Sequence, residues 1–134
     1  MPTFDDSVTS PAPVEEVWKL LYDPSRFPEW WEGVETVEQP GGEGFTLYPS
    51  GYPDFPMPQV MRTEGRKVTI SCLVKHLVFE WRLESTEDDG TRIAVHVEIP
   101  EAEAHRLDTQ RDGVSASLRS LAALAATDGL PERG

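Results

Sequence analysis

The sequence predicts an α+β fold: a curved antiparallel sheet wrapped around a long C-terminal helix, with two short helices after the first strand. Three observations predict it. Strand-like segments separated by Gly, Pro and Asp turn signals dominate the chain from Val34 to Ile99, and the last two, Val78 to Glu84 and Arg92 to Ile99, alternate apolar and polar residues. An apolar stripe at helical spacing follows near the end, at Val114, Leu118, Leu121, Ala122 and Ala125. A sheet with one wet face must cover its other face, and that helix is the only element long enough to do it.

The elements follow in order. Phe4 to Val8 reads as a short strand, which Ser10-Pro11-Ala12-Pro13 ends. Pro13 suits the start of a helix, and Glu15 and Glu16 complement the positive end of its dipole. Val14, Val17, Trp18 and Leu21 give that helix one apolar stripe, and Asp23-Pro24 stops it. Ser25 to Trp31 carries Pro28 and so is limited to a short helical turn or two. Val34 to Glu38 and Phe45 to Tyr48 are strands joined by a turn over Gln39 to Gly44. Pro49 to Pro58 is a proline-rich loop. Val60 to Glu64 and Lys67 to Val74 flank a turn at Gly65-Arg66.

Val78 to Glu84 alternates Phe79, Trp81 and Leu83 against Glu80, Arg82 and Glu84. Arg92 to Ile99 repeats the pattern with Ile93, Val95, Val97 and Ile99, after a turn at Asp88-Asp89-Gly90. Pro100 ends the strands. Glu101, Glu103 and Asp108 open an acidic helical stretch, and Gly113 is placed to kink or split the long helix. Asp128-Gly129 closes it, leaving Leu130 to Gly134 as a frayed tail. No repeat or linker divides residues 1–134, which read as one domain.

Composition excludes several functions. The formal net charge of −12 repels phosphate backbones and anionic membrane surfaces, so neither nucleic acid nor membrane is an expected partner. A single cysteine, Cys72, rules out an intrachain disulfide and a cysteine-based zinc site. The acidic N-terminus lacks the pattern of a signal peptide, and no apolar run is long enough to span a bilayer. The expectation is a cytoplasmic monomer or small homo-oligomer, with no metal and no cofactor.

Ser10-Pro11-Ala12-Pro13-Val14-Glu15-Glu16-Val17-Trp18, then Asp23-Pro24-Ser25-Arg26-Phe27-Pro28-Glu29-Trp30-Trp31, then Gly90-Thr91-Arg92, resemble the START-like (SRPBCC, Bet v 1-like) superfamily. The branch they look most similar to is that of polyketide cyclase/dehydrase-type proteins. The resemblance runs over nearly the whole chain in the right order. It implies a helix-grip fold with a deep cavity between sheet and helix. That superfamily includes lipid carriers, aromatase/cyclases, co-chaperone-like proteins and toxins, and it has no common catalytic set to carry over.

One helix is about 10 Å wide and a sheet of this size about 30 Å, so the concave side holds either large side chains or a cavity. The expected ligand is therefore a small hydrophobic molecule, and the resemblance implies that it is lipid- or polyketide-like. The expected wall is Phe79, Trp81, Val95 and Val97 from the sheet with Leu118 and Leu121 from the helix. Trp30 and Trp31 should close one end. Tyr52 and Phe55, with Met57, make the Pro49–Pro58 loop too apolar for a simple connector, so it should form a lid or rim.

No catalytic constellation stands out. Cys72 and His76 lie about 13 Å apart if both sit on one extended strand, too far for a thiol–imidazole pair, and Cys72 reads as a small buried hydrophobe. His96 should face solvent, as should Arg82; the direction of Arg62 is open. Glu29, Glu32, Glu35 and Glu38 read as a solvated acidic rim. Two other readings stand beside ligand binding: an aromatase/cyclase working mainly by orienting a flexible chain, and an interaction module resembling the Hsp90-activator branch, which requires an exposed apolar patch.

Overall fold

The computed structural model describes residues 2–41, 44–49, 51, 55–73 and 76–128. Strand β1 (Thr3–Ser10) is followed by helix α1 (Val14–Leu21) and a 3-10 helix (Pro24–Glu29). Six strands come next: β2 (Val34–Gly41), β3 (Gly44–Pro49), β4 (Met57–Glu64), β5 (Lys67–Cys72), β6 (Val78–Ser85) and β7 (Thr91–Glu98). A second 3-10 helix (Glu101–Arg106) leads into the long helix α2 (Leu107–Asp128). The strands form one sheet, antiparallel as the alternation predicts, and their order is β1-β7-β6-β5-β4-β3-β2.

Each inward-facing residue of β6 and β7 in that pattern is buried: Phe79, Trp81 and Leu83 on one strand, Ile93, Val95 and Val97 on the other. Helix α2 lies on this concave face through Val114, Leu118, Leu121, Ala122 and Ala125. The convex face is polar. There Arg82 bonds Glu80, and His96 lies 2.8 Å from Asp5.

The proline-rich opening motif has a structural explanation. Ser10 is fully buried, and its hydroxyl donates to the Ala122 carbonyl of α2 at 2.9 Å while accepting from the Ala12 amide. Thr91, at the start of β7, is also fully buried and donates to the Ala12 carbonyl at 2.8 Å. The link between β1 and α1 is thus tied to the long helix and to the last strand at once. These are backbone groups that a proline-broken segment would otherwise leave unsatisfied.

Several details differ from the sequence reading. Helix α2 runs unbroken through Gly113; the Gly113 carbonyl accepts the Ser117 hydroxyl at 2.7 Å. The same hydroxyl accepts from the Glu32 amide at 2.8 Å, which pins the turn after Trp31 to the helix. Strand β5 ends at Cys72 rather than Val74, and the chain turns back at once, with the Cys72 amide donating to Leu77 and the His76 amide to Cys72. The extended spacing assumed for Cys72 and His76 therefore does not apply. Cys72 is nevertheless buried, whereas His76 is exposed.

Strands β2 and β3 extend into the turn expected at Gln39–Gly44, until Gly41 pairs with Gly44. Pro40 is tolerated there because β2 is an edge strand. Met57 and Pro58, expected in the loop, pair with Leu47 and Thr46 and begin β4. The loop that remains is shorter, and Tyr52 within it lies outside the described residues, as does the tail from Gly129 onward.

Candidate ligand cavity

The aromatic residues decide where the concave side is filled. Phe27 and Trp30 meet edge to face at 5.4 Å, and Trp30 stacks on Trp31 at 5.5 Å. Trp81 meets Trp30 and Trp31 edge-on at 5.3 and 5.5 Å, and Phe79 meets Trp31 at 5.2 Å. Phe45 packs against Phe27 at 5.5 Å. The Trp30 indole also donates to the Leu20 carbonyl at 3.0 Å, which satisfies the end of α1. These rings plug the middle of the grip. Such contacts contribute about 0.5–1.5 kcal/mol per pair beyond area burial.

Beside this plug, at the end of the grip near the start of α2, lies a cavity of about 470 Å³. That is within the range of small-molecule sites, roughly 300–1,000 Å³. Trp31 and Phe79 form its boundary with the plug. Leu47, Met57, Cys72 and Leu77 continue the apolar wall across β3, β4 and the turn after β5. Phe55 borders it from the loop side and is 47% exposed. Glu103, Arg106 and Gln110 line the helix side, with Glu32 nearby from the turn after Trp31. Gln59 lines it from the sheet and is only 3% exposed.

The structure therefore brings Trp31, Phe55 and Phe79 together at one cavity. Trp30, Trp81, Val95, Val97, Leu118 and Leu121 are all buried in the packed core, and none borders this cavity. Trp30 and Trp81 belong to the aromatic plug itself, and the four aliphatic residues are buried in the same core cluster. Sequence reasoning passed over Gln59, Leu47 and Leu77, and read Glu103 only as part of a helix start. Gln59 left one signal: it shares a strand face with Met57 and Met61, so a polar residue stands on an otherwise apolar face.

A second depression, on the convex face, is lined by Asp5, Glu80, Arg82, Arg92 and His96. Its side chains are already partnered: Arg82 pairs with Glu80 at 2.7 Å, Arg92 with Glu84 at 3.6 Å, and the His96 ring lies 2.8 Å from Asp5. Arg82 holds the Glu80 carboxyl below its ordinary range by hydrogen bonding, against a smaller opposing effect of burial. Among the described residues no group of three or more His, Cys, Asp or Glu side chains is arranged to hold a metal ion.

A sheet gripping a long helix, with an apolar pocket at one end, defines the helix-grip class. Residues 1–126 match the family described as polyketide cyclase/dehydrase and lipid transport, and the chain belongs to that family. No curated protein matches it in sequence. Among solved structures, a protein from Nitrosospira multiformis is similar at a TM-score of 0.75 and 18% identity, covering 95% of this chain and 98% of that one. The Aha1 dimer from Colwellia psychrerythraea is similar at 0.74 and 12% identity, over 94% of this chain and 97% of that one. Ara h 8.0201 is similar at 0.65 and 16% identity, over 94% and 98%. At these identities the likeness is one of fold.

Proposed function

We propose that this protein binds a small, largely apolar molecule, lipid- or polyketide-like, in the cavity between Trp31, Phe79 and the start of α2. The observation that carries this is the cavity itself: about 470 Å³, with an apolar wall on the sheet side and polar groups on the helix side. Burying an apolar ligand there removes its surface from water at about 25 cal/mol per Å². Membership of a family described by lipid transport supports the same reading. A cytoplasmic location fits the lack, among the described residues, of a helix long and apolar enough to cross a membrane.

A second reading, a cyclase-type enzyme, is supported by Gln59, Glu103, Arg106 and Gln110 lining one cavity. Such groups could orient a flexible substrate while the cavity restricts its conformations.

Native mass spectrometry of the purified protein tests the binding reading. The expected result is a co-purifying small molecule or, after stripping, one-to-one binding of a neutral apolar probe such as N-phenyl-1-naphthylamine. Leu77→Trp, which fills the cavity, should abolish that binding. Absence of any bound species, or unchanged probe binding in L77W, overturns the reading. Conversion of a bound polyketide-like chain, rather than its return intact, would favour the enzyme.

A further inference from the structure

We infer that the cavity selects apolar molecules bearing a hydroxyl group, which Gln59 receives. This rests on the reading that the cavity binds an apolar ligand, and it names the chemical class. The buried polar side chains among the described residues are Ser10, Gln59, Thr91 and Ser117. Three of them have structural tasks. Ser10 and Thr91 bond the backbone around Ala12, and Ser117 bonds Gly113 and Glu32. Gln59 is the one that lines the cavity.

Its setting is apolar. Across the ladder Gln59 faces Phe45 on β3 and Cys72 on β5, both buried. A leucine or methionine would suit this position if packing were the sole requirement, because burying an amide is unfavourable unless it is hydrogen-bonded. The amide is held in one orientation, since Nε2 donates to the Met57 carbonyl at 3.1 Å, two residues back on the same strand. That leaves Oε1 as an acceptor with no donor among the described residues. The oxygen is not one of the polar atoms sealed from solvent, so a bound molecule can reach it. A hydroxyl matches both remaining capacities of the group. It donates to Oε1 and can accept the second N–H of Nε2. A site built around such a bond discriminates against analogues that lack the donor.

Calorimetric titration with 2-naphthol and 2-methoxynaphthalene tests this, because the two share the apolar body and differ in the donor. The native protein should bind 2-naphthol roughly tenfold more tightly. In Gln59→Met, which keeps the volume and removes the acceptor, the ratio should fall to near one, with 2-methoxynaphthalene still bound. Equal affinities in the native protein overturn the proposal while leaving the cavity reading intact, and so does a tenfold ratio that survives in Q59M. If neither compound binds the native protein, the cavity reading fails and this proposal with it. The native ratio needs no variant to fold, and a ratio taken within each protein cancels any general loss of stability.

Discussion

At the residue scale, the motif positions and the site positions act through different physics. Gly90 shows the first. It precedes Thr91 in the turn between β6 and β7, where the Thr86 amide donates to the Gly90 carbonyl at 3.0 Å. A Cβ on Gly90 would stand 2.5 Å from the carbonyl oxygen of Ser10, the residue whose hydroxyl clamps the end of β1 to α2. The obstacle is backbone rather than a flexible side chain, so it cannot rotate away. Gly90→Ala should therefore destabilise the fold by about 1–3 kcal/mol, the range for overpacking. Urea unfolding measures this, and a midpoint unchanged from that of the native protein would show that the turn yields more easily than the contact implies. Gln59 shows the second kind. Its amide has little to do with the folding pattern, which is why an alternation rule reads past it.

At the scale of elements, the strands were legible because the sheet is wet on one side. Phe79, Trp81 and Leu83 could face only the core once Glu80, Arg82 and Glu84 faced water. Alternation tells which way Val95 and Val97 point, but not whether a neighbour or a ligand meets them. That is settled by packing between elements, as where Phe27 meets Phe45 and Trp30 meets Trp81. The helix side of the cavity depends on where the 3-10 helix sets Glu103 and Arg106, which no local pattern encodes. Phe55 stands just before β4 and lies outside the core cluster. Phe55 borders the cavity while half exposed, whereas Leu118 is 1% exposed beneath the sheet. Phe55→Ser should weaken apolar probe binding by about 1 kcal/mol, roughly fivefold, with stability within about 0.5 kcal/mol of native. Leu118→Ala should instead cost about 2–5 kcal/mol of stability. If F55S unfolds as readily as L118A and still binds the probe, the loop is structural. Strand β6 carries a further prediction through Glu80. Its folded pKa is depressed, first by the Arg82 hydrogen bond, so its contribution is present above the unfolded value of about 4.3 and is lost as pH falls through the folded one. The gap in Tm between the native protein and Glu80→Gln should be larger at pH 6 than at pH 3. A gap that does not change with pH would show that Arg82 gives Glu80 no such advantage.

At the scale of the whole molecule, charge is the dominant feature, with 24 acidic side chains against 12 basic ones. Several basic groups are held in short pairs, including Lys19 with Glu16 at 2.9 Å and Arg82 with Glu80 at 2.7 Å. The cation of each of these pairs is more than half exposed, so each contributes little. The acid excess remains, and folding concentrates it on a compact surface where like charges repel. The same field disfavours anionic molecules approaching the cavity, whose helix side already carries Glu103 and Glu32 beside Arg106. A neutral hydroxylated ligand meets no such barrier. The two electrostatic contributions respond to salt in opposite directions. Screening weakens the favourable pairs, but these act at contact distance; it weakens the general repulsion more, because that acts over longer range. The screening length falls from about 30 Å at 0.01 M salt to about 8 Å at 0.15 M. Raising sodium chloride across this interval should therefore raise Tm, by roughly 2–5 °C if about 1 kcal/mol of repulsion is relieved. Differential scanning calorimetry at pH 7 measures this directly. A Tm that falls with salt would mean that the surface pairs outweigh the net charge, and that the acidic excess is better compensated by local structure than the composition implies.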